Sequence, residues 1–187
     1  MKIVMFSDSH GDTETMCDAV EKEKPDMVIY LGDGIADAEQ LNEKYPNIRM
    51  IKVLGNVDSD KEDEEWIKFV EICGKRFIIT HGHLFISYTY NSEFNDYRLT
   101  DEARMKLRGD VIKFMEKHNA DVFLHGHTHE PYINRTQLMP GKTGWIMNPG
   151  IIKRKGSSIF NPVYGVLKFN ENGTFEWQFI EVGFVSQ

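Results

Sequence analysis

Short apolar runs recur along the first two-thirds of the chain, each broken by a stretch with helical spacing. Lys2–Phe6, Asp26–Leu31, Ile48–Leu54, Glu65–Ile72, Arg76–Thr80 and Asp121–Leu124 are rich in β-branched and aromatic residues and predict strands. Asp12–Glu23, Asp37–Tyr45 and Thr100–His118 carry apolar residues at spacings of three and four and predict helices. Met105, Leu107, Val111, Ile112 and Met115 would form the apolar face of the last one. Beyond His129 the helical spacing stops. Pro131–Leu138, Lys142–Met147, Val163–Phe169 and Thr174–Glu181 read as strands, with turn signals at Pro140-Gly141 and Asn172-Gly173. Alternating βα units followed by a β meander predict an α/β fold in which two sheets pack face to face with helices outside. Phe85–Leu99 fits no period and reads as a long loop, a candidate lid.

Composition narrows this picture only slightly. The 187 residues, 41% hydrophobic and 27% charged, suit one domain spanning 1–187 with a sizeable core. The two cysteines, Cys17 and Cys73, form no CxxC and no disulfide framework, which fits a reducing compartment. Ile3–Phe6 is too short for a secretory apolar region of roughly 7–15 residues, and no run approaches the ~20 needed to span a membrane. The expectation is a cytoplasmic protein with no membrane partner. A formal net charge of −7 argues against extensive nucleic-acid binding, while leaving room for a small site whose charge a metal reverses.

The chemistry lies where the strands end. Ile3–Phe6 runs into Ser7-Asp8-Ser9-His10, Met27–Leu31 into Gly32-Asp33, and Ile48–Leu54 into Gly55-Asn56-Val57-Asp58. Phe77–Thr80 runs into His81-Gly82-His83, and Val122–Leu124 into His125-Gly126-His127-Thr128-His129. Ligands of open α/β sheets bind beyond the carboxyl ends of the strands, so these five clusters would converge. A lone Asp-Ser-His or Gly-Asp would be a turn or a helix cap, and a lone Gly-His-Thr-His either a structural turn or a metal site; five clusters in order at five strand ends point to a metal site. Carboxylate, imidazole and amide oxygen without thiolate suit manganese, iron or zinc. More ligands are present than one tetrahedral ion uses, so two ions sharing a carboxylate is the natural count. No G-x-S-x-G elbow and no Walker A loop occurs.

Asp8-x-His10, Gly32-Asp33, Gly55-Asn56, His81 and Gly126-His127-Thr128-His129 resemble the calcineurin-like metallophosphoesterase superfamily. The short length and Asn148-Pro149-Gly150 resemble its small bacterial and archaeal phosphodiesterase group. The resemblance implies a four-layer α/β/β/α sandwich of two mixed sheets flanked by helices. It implies two divalent ions, manganese first, with nickel, zinc or iron as alternatives. One would be held by Asp8, His10, Asp33 and His129, and the other by Asp33, Asn56, His81 and His127, with Asp33 bridging. Two M²⁺ against two carboxylates leave +2, and a bridging hydroxide leaves +1, so an anionic phosphate is attracted although the chain is acidic. Asp33, Asn56, Asp58 and His127 are the expected catalytic group. The implied activity is hydrolysis of a small phosphodiester, nucleotide-like arms included, by in-line attack of a metal-bridging hydroxide; a homo-oligomer is compatible with it.

Two positions depart from the family pattern. Many superfamily phosphatases have His after Gly-Asn, where it can protonate the leaving group; here the residue is Val57, which favours diesters or activated leaving groups. Ile151 replaces the usual Ser after Asn-Pro-Gly. Asp58 is expected either to orient a ligating histidine or to cap the following segment. His83 and His125 exceed the ligand count and are expected beside the ligands or at the substrate. His118 before Asn119 reads as the end of a helix. Lys153, Arg154 and Lys155 read as a solvated loop, and Tyr88 and Tyr90 as anchors of the long loop or stacking residues. The alternative is a silent protein-binding scaffold of the same fold, as in a retromer subunit that resembles this family. A scaffold can lose ligands, and this chain keeps them all. A nuclease of the same superfamily would bring further binding segments, for which there is no room.

Overall fold

The structure, a computed structural model, describes residues 1–58, 64–86, 101–154 and 161–183. In chain order the elements are β1 (Lys2–Phe6), α1 (Thr13–Glu23), β2 (Met27–Tyr30), α2 (Ile35–Lys44), β3 (Arg49–Lys52), β4 (Ile67–Ile72) and β5 (Lys75–Thr80). They continue with α3 (Asp101–Lys117), β6 (Val122–Leu124), β7 (Tyr132–Gln137), β8 (Thr143–Asn148), β9 (Val163–Phe169) and β10 (Phe175–Glu181). Every expected strand and helix is present, most of them trimmed by one to three residues at an end. Of the expected loop Phe85–Leu99, residues 87–99 lie outside the described residues, as do Tyr88, Tyr90 and Lys155.

Two five-stranded sheets form, in the orders β10-β9-β1-β2-β3 and β4-β5-β6-β8-β7. In the first, β1, β2 and β3 are parallel and β9 and β10 antiparallel; in the second, β5, β6 and β8 are parallel and β4 and β7 antiparallel. Side-chain alternation explains the layering. Ile3, Met5, Ile29 and Leu167 of the first sheet meet Phe77, Ile79, Val122, Leu124 and Met147 of the second in one buried cluster. The intervening residues Val4, Phe6, Val28, Tyr30 and Val166 turn outward onto Met16, Val20, Ala38 and Leu41 of α1 and α2. On the far side Ile78, Phe123 and Ile146 receive Val111 and Met115 of α3. The result is helix, sheet, sheet, helix. Each fully buried Ile, Leu or Phe contributes ~1.5–3 kcal/mol relative to exposure, so the apolar alternation suffices to drive the stacking.

Met105 departs from its expected place, being 75% exposed while Val111 and Met115 are buried. Six residues before Val111, it lies roughly 120° away around a 3.6-residue helix. The helix ends as expected: Asn119 adopts φ 51°, and the His118 ring packs on Phe114 and Phe69. Among the described residues no helix is long and apolar enough to cross a membrane.

Candidate metal centre

The parallel strands of both sheets deliver their carboxyl-end loops to one place, and backbone hydrogen bonds join those loops. Asp8 N–H donates to the Gly32 carbonyl at 3.0 Å, His10 N–H to Asp33 at 3.2 Å, and Gly126 N–H to His81 at 2.9 Å. Across the sheets, His127 N–H reaches Asp8 Oδ2 at 3.1 Å. The loops touch so closely that side chains are excluded at Gly32, Gly34, Gly55 and Gly126. A Cβ on Gly126 would fall 1.8 Å from Ser7 Oγ, and one on Gly55 would fall 2.1 Å from Asp33 Oδ1.

Two trios of side chains result. Asp8, His10 and His129 form one and Asp33, His81 and His127 the other, with the ligand atoms of each trio within 4.8 Å of one another. Asp8 Oδ1 lies 3.2 Å from His129 Nε2, 4.0 Å from His10 Nε2 and 3.9 Å from His81 Nε2. Asp33 Oδ2 lies 3.3 Å from His81 Nε2. Among the described residues, Asp8 Oδ1 thus lies within 4.0 Å of nitrogens from both trios, and Asp33, the expected bridge, reaches His81 of its own trio. Asn56 sits on the turn from Gly55 to Asp58 with its side chain exposed, beside Val57, whose backbone N–H donates to Asp33 Oδ1 at 3.0 Å.

The donor set fits cations. Asp8 Oδ1 and His81 Nε2 are buried and have no hydrogen-bond partner among the described residues. A buried polar atom left unsatisfied costs ~1–3 kcal/mol, and a coordinated ion removes that cost. His81 Nδ1 lies 2.7 Å from the Leu31 carbonyl, so Nδ1–H donates there and the Nε2 lone pair faces the trio.

Electrostatics agree. Burial penalises the Asp8 charge, but the His81 and His129 imidazoles and Ser7 Oγ outweigh it and hold the carboxyl at about 2. Burial likewise opposes ionisation of Asp33, yet His81 and the Val57 N–H bring its pKa below the ordinary value. Burial alone would depress His81, but Asp8 and Asp33 push it up: the pocket favours positive charge. Burial, aided by the charge of His81, lowers His127 to about 4, leaving a neutral imidazole at neutral pH.

The ligand backbones are unusual. Asp8, His10, Asp33, His127 and His129 have φ of 58°, 43°, 59°, 67° and 60°, the left-handed region that non-glycine residues rarely occupy. Distant side chains hold them there. Among the described residues Asp58 makes no hydrogen bond to a histidine, and residues 59–63, the start of the segment it was expected to cap, lie outside the described residues. Its Oδ2 accepts from Asp33 N–H at 2.9 Å and Gly55 N–H at 2.8 Å, and its Oδ1 accepts from Gly34 and Ile35 N–H at 2.8 Å each. It therefore joins the Asp33 loop to its own turn and caps α2, whose N-cap Gly34 has no side chain to offer.

Three further clamps escaped the sequence reading. Asp37 Oδ2 accepts from Ser9 Oγ at 2.6 Å and Gly11 N–H at 2.7 Å, and Tyr30 Oη lies 2.6 Å from Ser9 Oγ, fixing the loop that carries His10. Ser7 Oγ donates to Asp8 Oδ2 at 2.5 Å. Asn148 Nδ2 donates to the Gly126 carbonyl and to Thr128 Oγ1 at 2.9 Å each, holding the loop between the last two histidines. A signal existed for Asp37, a carboxylate in the first turn of a helix that is buried rather than solvated, but burial is not visible in one sequence.

The remaining positions sort by environment. His125 is fully buried, hydrogen-bonded to the Gly126 carbonyl and to Tyr132 Oη, and burial lowers it to about 4. Arg154 pairs with Asp18 at 2.5 Å rather than with the site. Ile151 is 2% exposed, so the residue in place of serine is a core side chain. His83 stands beside the second trio, 5.6 Å from His81 and 6.1 Å from His127 between ring centres.

Comparison with known proteins agrees with this geometry. Residues 1–172 match the calcineurin-like phosphoesterase superfamily domain. A probable metallophosphoesterase of Mycoplasma genitalium is 21% identical over 172 residues, 92% of this chain and 90% of that protein. A predicted phosphoesterase of Streptococcus pneumoniae superimposes with a TM-score of 0.65 at 24% identity, over 96% of this chain and 88% of that one. Vps29 of Entamoeba histolytica, complexed with Zn²⁺, does so with a TM-score of 0.62 at 16% identity, over 97% of this chain and 99% of that one. These structural likenesses concern the fold.

Proposed function

Since the chain belongs to the calcineurin-like phosphoesterase superfamily, we propose that it is a dinuclear metal-dependent phosphodiesterase acting on a small phosphodiester. The observation that carries this reading is the pair of trios around two buried, unpartnered ligand atoms, Asp8 Oδ1 and His81 Nε2. Two divalent cations there, manganese by preference, would supply Lewis acidity and a hydroxide for in-line displacement. The chain's own residues do the rest. Asp8 and Asp33 stay ionised, His127 stays neutral, and the Val57 N–H keeps the Asp33 carboxylate oriented. The Val57 side chain donates no proton, so leaving groups that need none are preferred. The two cysteines, Cys17 buried and Cys73 exposed, are free, which suits work in the cytoplasm.

The likeness to Vps29 favours one rival, a protein-binding scaffold. Metal analysis of the purified protein, with matched assays of an aryl diester and an aryl monoester under Mn²⁺, Ni²⁺, Zn²⁺ and Mg²⁺, decides between them. The enzyme reading expects two ions per chain and faster diester turnover. No hydrolysis under any metal would establish the scaffold instead.

A further inference from the structure

The loop that carries His81 continues into a histidine that the metal trios leave unused. Both ring nitrogens of His83 are buried and have no hydrogen-bond partner among the described residues. A neutral imidazole offers one N–H donor and one acceptor, so two idle groups face a place where water is scarce. On one side the ring meets Trp66, with centroids 4.7 Å apart and planes at 57°; on the other it meets the trio through His81 and His127 at 5.6 and 6.1 Å. His83 is therefore one ring away from the metal centre, and Trp66 one ring further. Two apolar side chains sit on the same two loops: Val57, beside Asn56, is 60% exposed and Leu84, beside His83, is 57% exposed.

We propose that His83 and Trp66, flanked by Val57 and Leu84, form the subsite for the departing arm of the diester, and that this arm is a planar aromatic group, an aryl ring or a nucleobase. This rests on the phosphodiesterase reading. His83 gives a hydrogen bond to an oxygen of the ester without any proton transfer, and its other nitrogen can accept one from the N–H of a nucleobase. Trp66 offers a half-buried aromatic surface at the distance an arm would reach. Aromatic stacking tolerates any planar partner, whereas an alkyl arm gains only part of it. The chemistry of departure points the same way. With no proton donor on Val57, an arm that leaves as a stabilised anion is favoured: an aromatic alcohol leaves more readily than an alkyl one, while a nucleoside, departing as a sugar alkoxide, gains from the stacking alone.

The test uses the full-length, manganese-loaded protein and titration calorimetry with two charge-matched, slowly reacting diesters, diphenyl phosphate and diethyl phosphate. Manganese content and melting temperature are measured for every variant. Wild type should bind diphenyl phosphate at least about fivefold more tightly than diethyl phosphate, since aromatic stacking spans roughly 5- to 150-fold. Trp66→Ala should collapse that ratio towards one, and Trp66→Phe should keep most of it. His83→Ala should weaken both ligands to a similar degree, with partial recovery in His83→Gln, which retains a donor and an acceptor. Should Trp66→Ala fail to fold, Leu84→Asp alters an exposed side chain of the same subsite and should lower the ratio. An unchanged ratio in Trp66→Ala or in Leu84→Asp, with two ions bound, overturns the subsite. So does a wild type that binds both diesters equally while hydrolysing an aryl diester. Absence of any hydrolysis by wild type sinks the underlying phosphodiesterase reading instead, so the two failures are distinguishable.

Discussion

Replacing Asp58 by Asn changes one atom's chemistry and should nonetheless be severe. Each carboxylate oxygen accepts from two backbone N–H groups: Oδ1 from Gly34 and Ile35, Oδ2 from Asp33 and Gly55, all between 2.8 and 2.9 Å. An amide has one acceptor oxygen, so whichever way it turns, one pair of N–H donors confronts an NH₂ group. Two hydrogen bonds to a charged acceptor are lost, worth about 1.5–3 kcal/mol each, and the remaining two lose their charge assistance. Because Asp58 is only partly buried, water recovers some of this, and a net loss of ~2–4 kcal/mol is expected. At roughly 2–4 °C per kcal/mol for a chain of this size, melting should fall by about 4–16 °C. The second consequence is selective. Asp33 lies in the loop released, so manganese affinity at the Asp33-His81-His127 trio should fall about 10–100-fold, as when a ligand's hydrogen-bonded support is removed. The Asp8-His10-His129 trio, which Asp58 does not touch, should fall less. Urea unfolding and manganese titration monitored by calorimetry read the two effects. An Asp58→Asn protein within about 0.5 kcal/mol of wild type, binding both ions normally, would refute the four-donor argument.

Other perturbations test neighbouring parts of the structure. Asp12 caps α1 through Thr15 N–H and also accepts from Arg154 N–H, so Asp12→Ala should cost ~1 kcal/mol by thermal melting. Burial opposes the Asp12 charge, but Thr15 and Arg154 leave its native pKa below the ordinary value. Its contribution is therefore complete above the unfolded value of about 3.9 and disappears as pH falls through the lower native value. The gap between variant and wild type should be full at pH 7 and shrink below pH 4; a constant gap would contradict the assignment. Gly126→Ala places a methyl 1.8 Å from Ser7 Oγ and should cost ~1–3 kcal/mol, partly relieved by adding Ser7→Gly; an unaltered melting curve would disprove the close approach. Removing divalent ions with a chelator should abolish hydrolysis and lower the melting temperature. Ions at a hundred times their Kd stabilise by about 2.7 kcal/mol, so a shift of ~5–10 °C, reversed by manganese, is expected. Identical melting with and without ions would count against a built metal site.

The extent to which the sequence revealed this molecule follows from the range of each signal. Strand positions were legible because a buried sheet residue such as Ile3 or Phe77 sits in a run whose partners are its own neighbours. The ligand clusters were legible for a similar reason, since each is a contiguous string after one apolar run. What escaped is what joins strings together. The start of α2 was read at Asp37, where a carboxylate could cap locally. The helix begins at Ile35 because its cap arrives from Asp58, and Asp37 instead binds backward to Ser9 and Gly11. Both carboxylates were in view; apart from Gly55, the partners named here lie more than twenty residues away, beyond any local pattern. Met105 was misassigned for the converse reason: its apolarity is local, but the face it occupies depends on what packs there.

The left-handed ligands tie these clamps to the function. Five positions expected to bind metal, Asp8, His10, Asp33, His127 and His129, occupy φ between 43° and 67°. Such a conformation costs an L-residue about 1–2 kcal/mol, somewhat less for Asp and His. Relaxing into ordinary φ would turn each side chain away from its trio, so the strain must be held by something other than the ions if the site is to exist before they bind. Asp58 on the Asp33 loop, Asp37 on the Ser9–Gly11 loop and Asn148 on the Gly126–Thr128 loop are placed to do this, each through two or more hydrogen bonds. None of the three belongs to either trio. The sheets do not depend on these clamps, because their cores lie between and behind the strands rather than beyond their ends. Loosening one clamp should therefore release one loop, reducing ion affinity in a protein whose layers remain assembled.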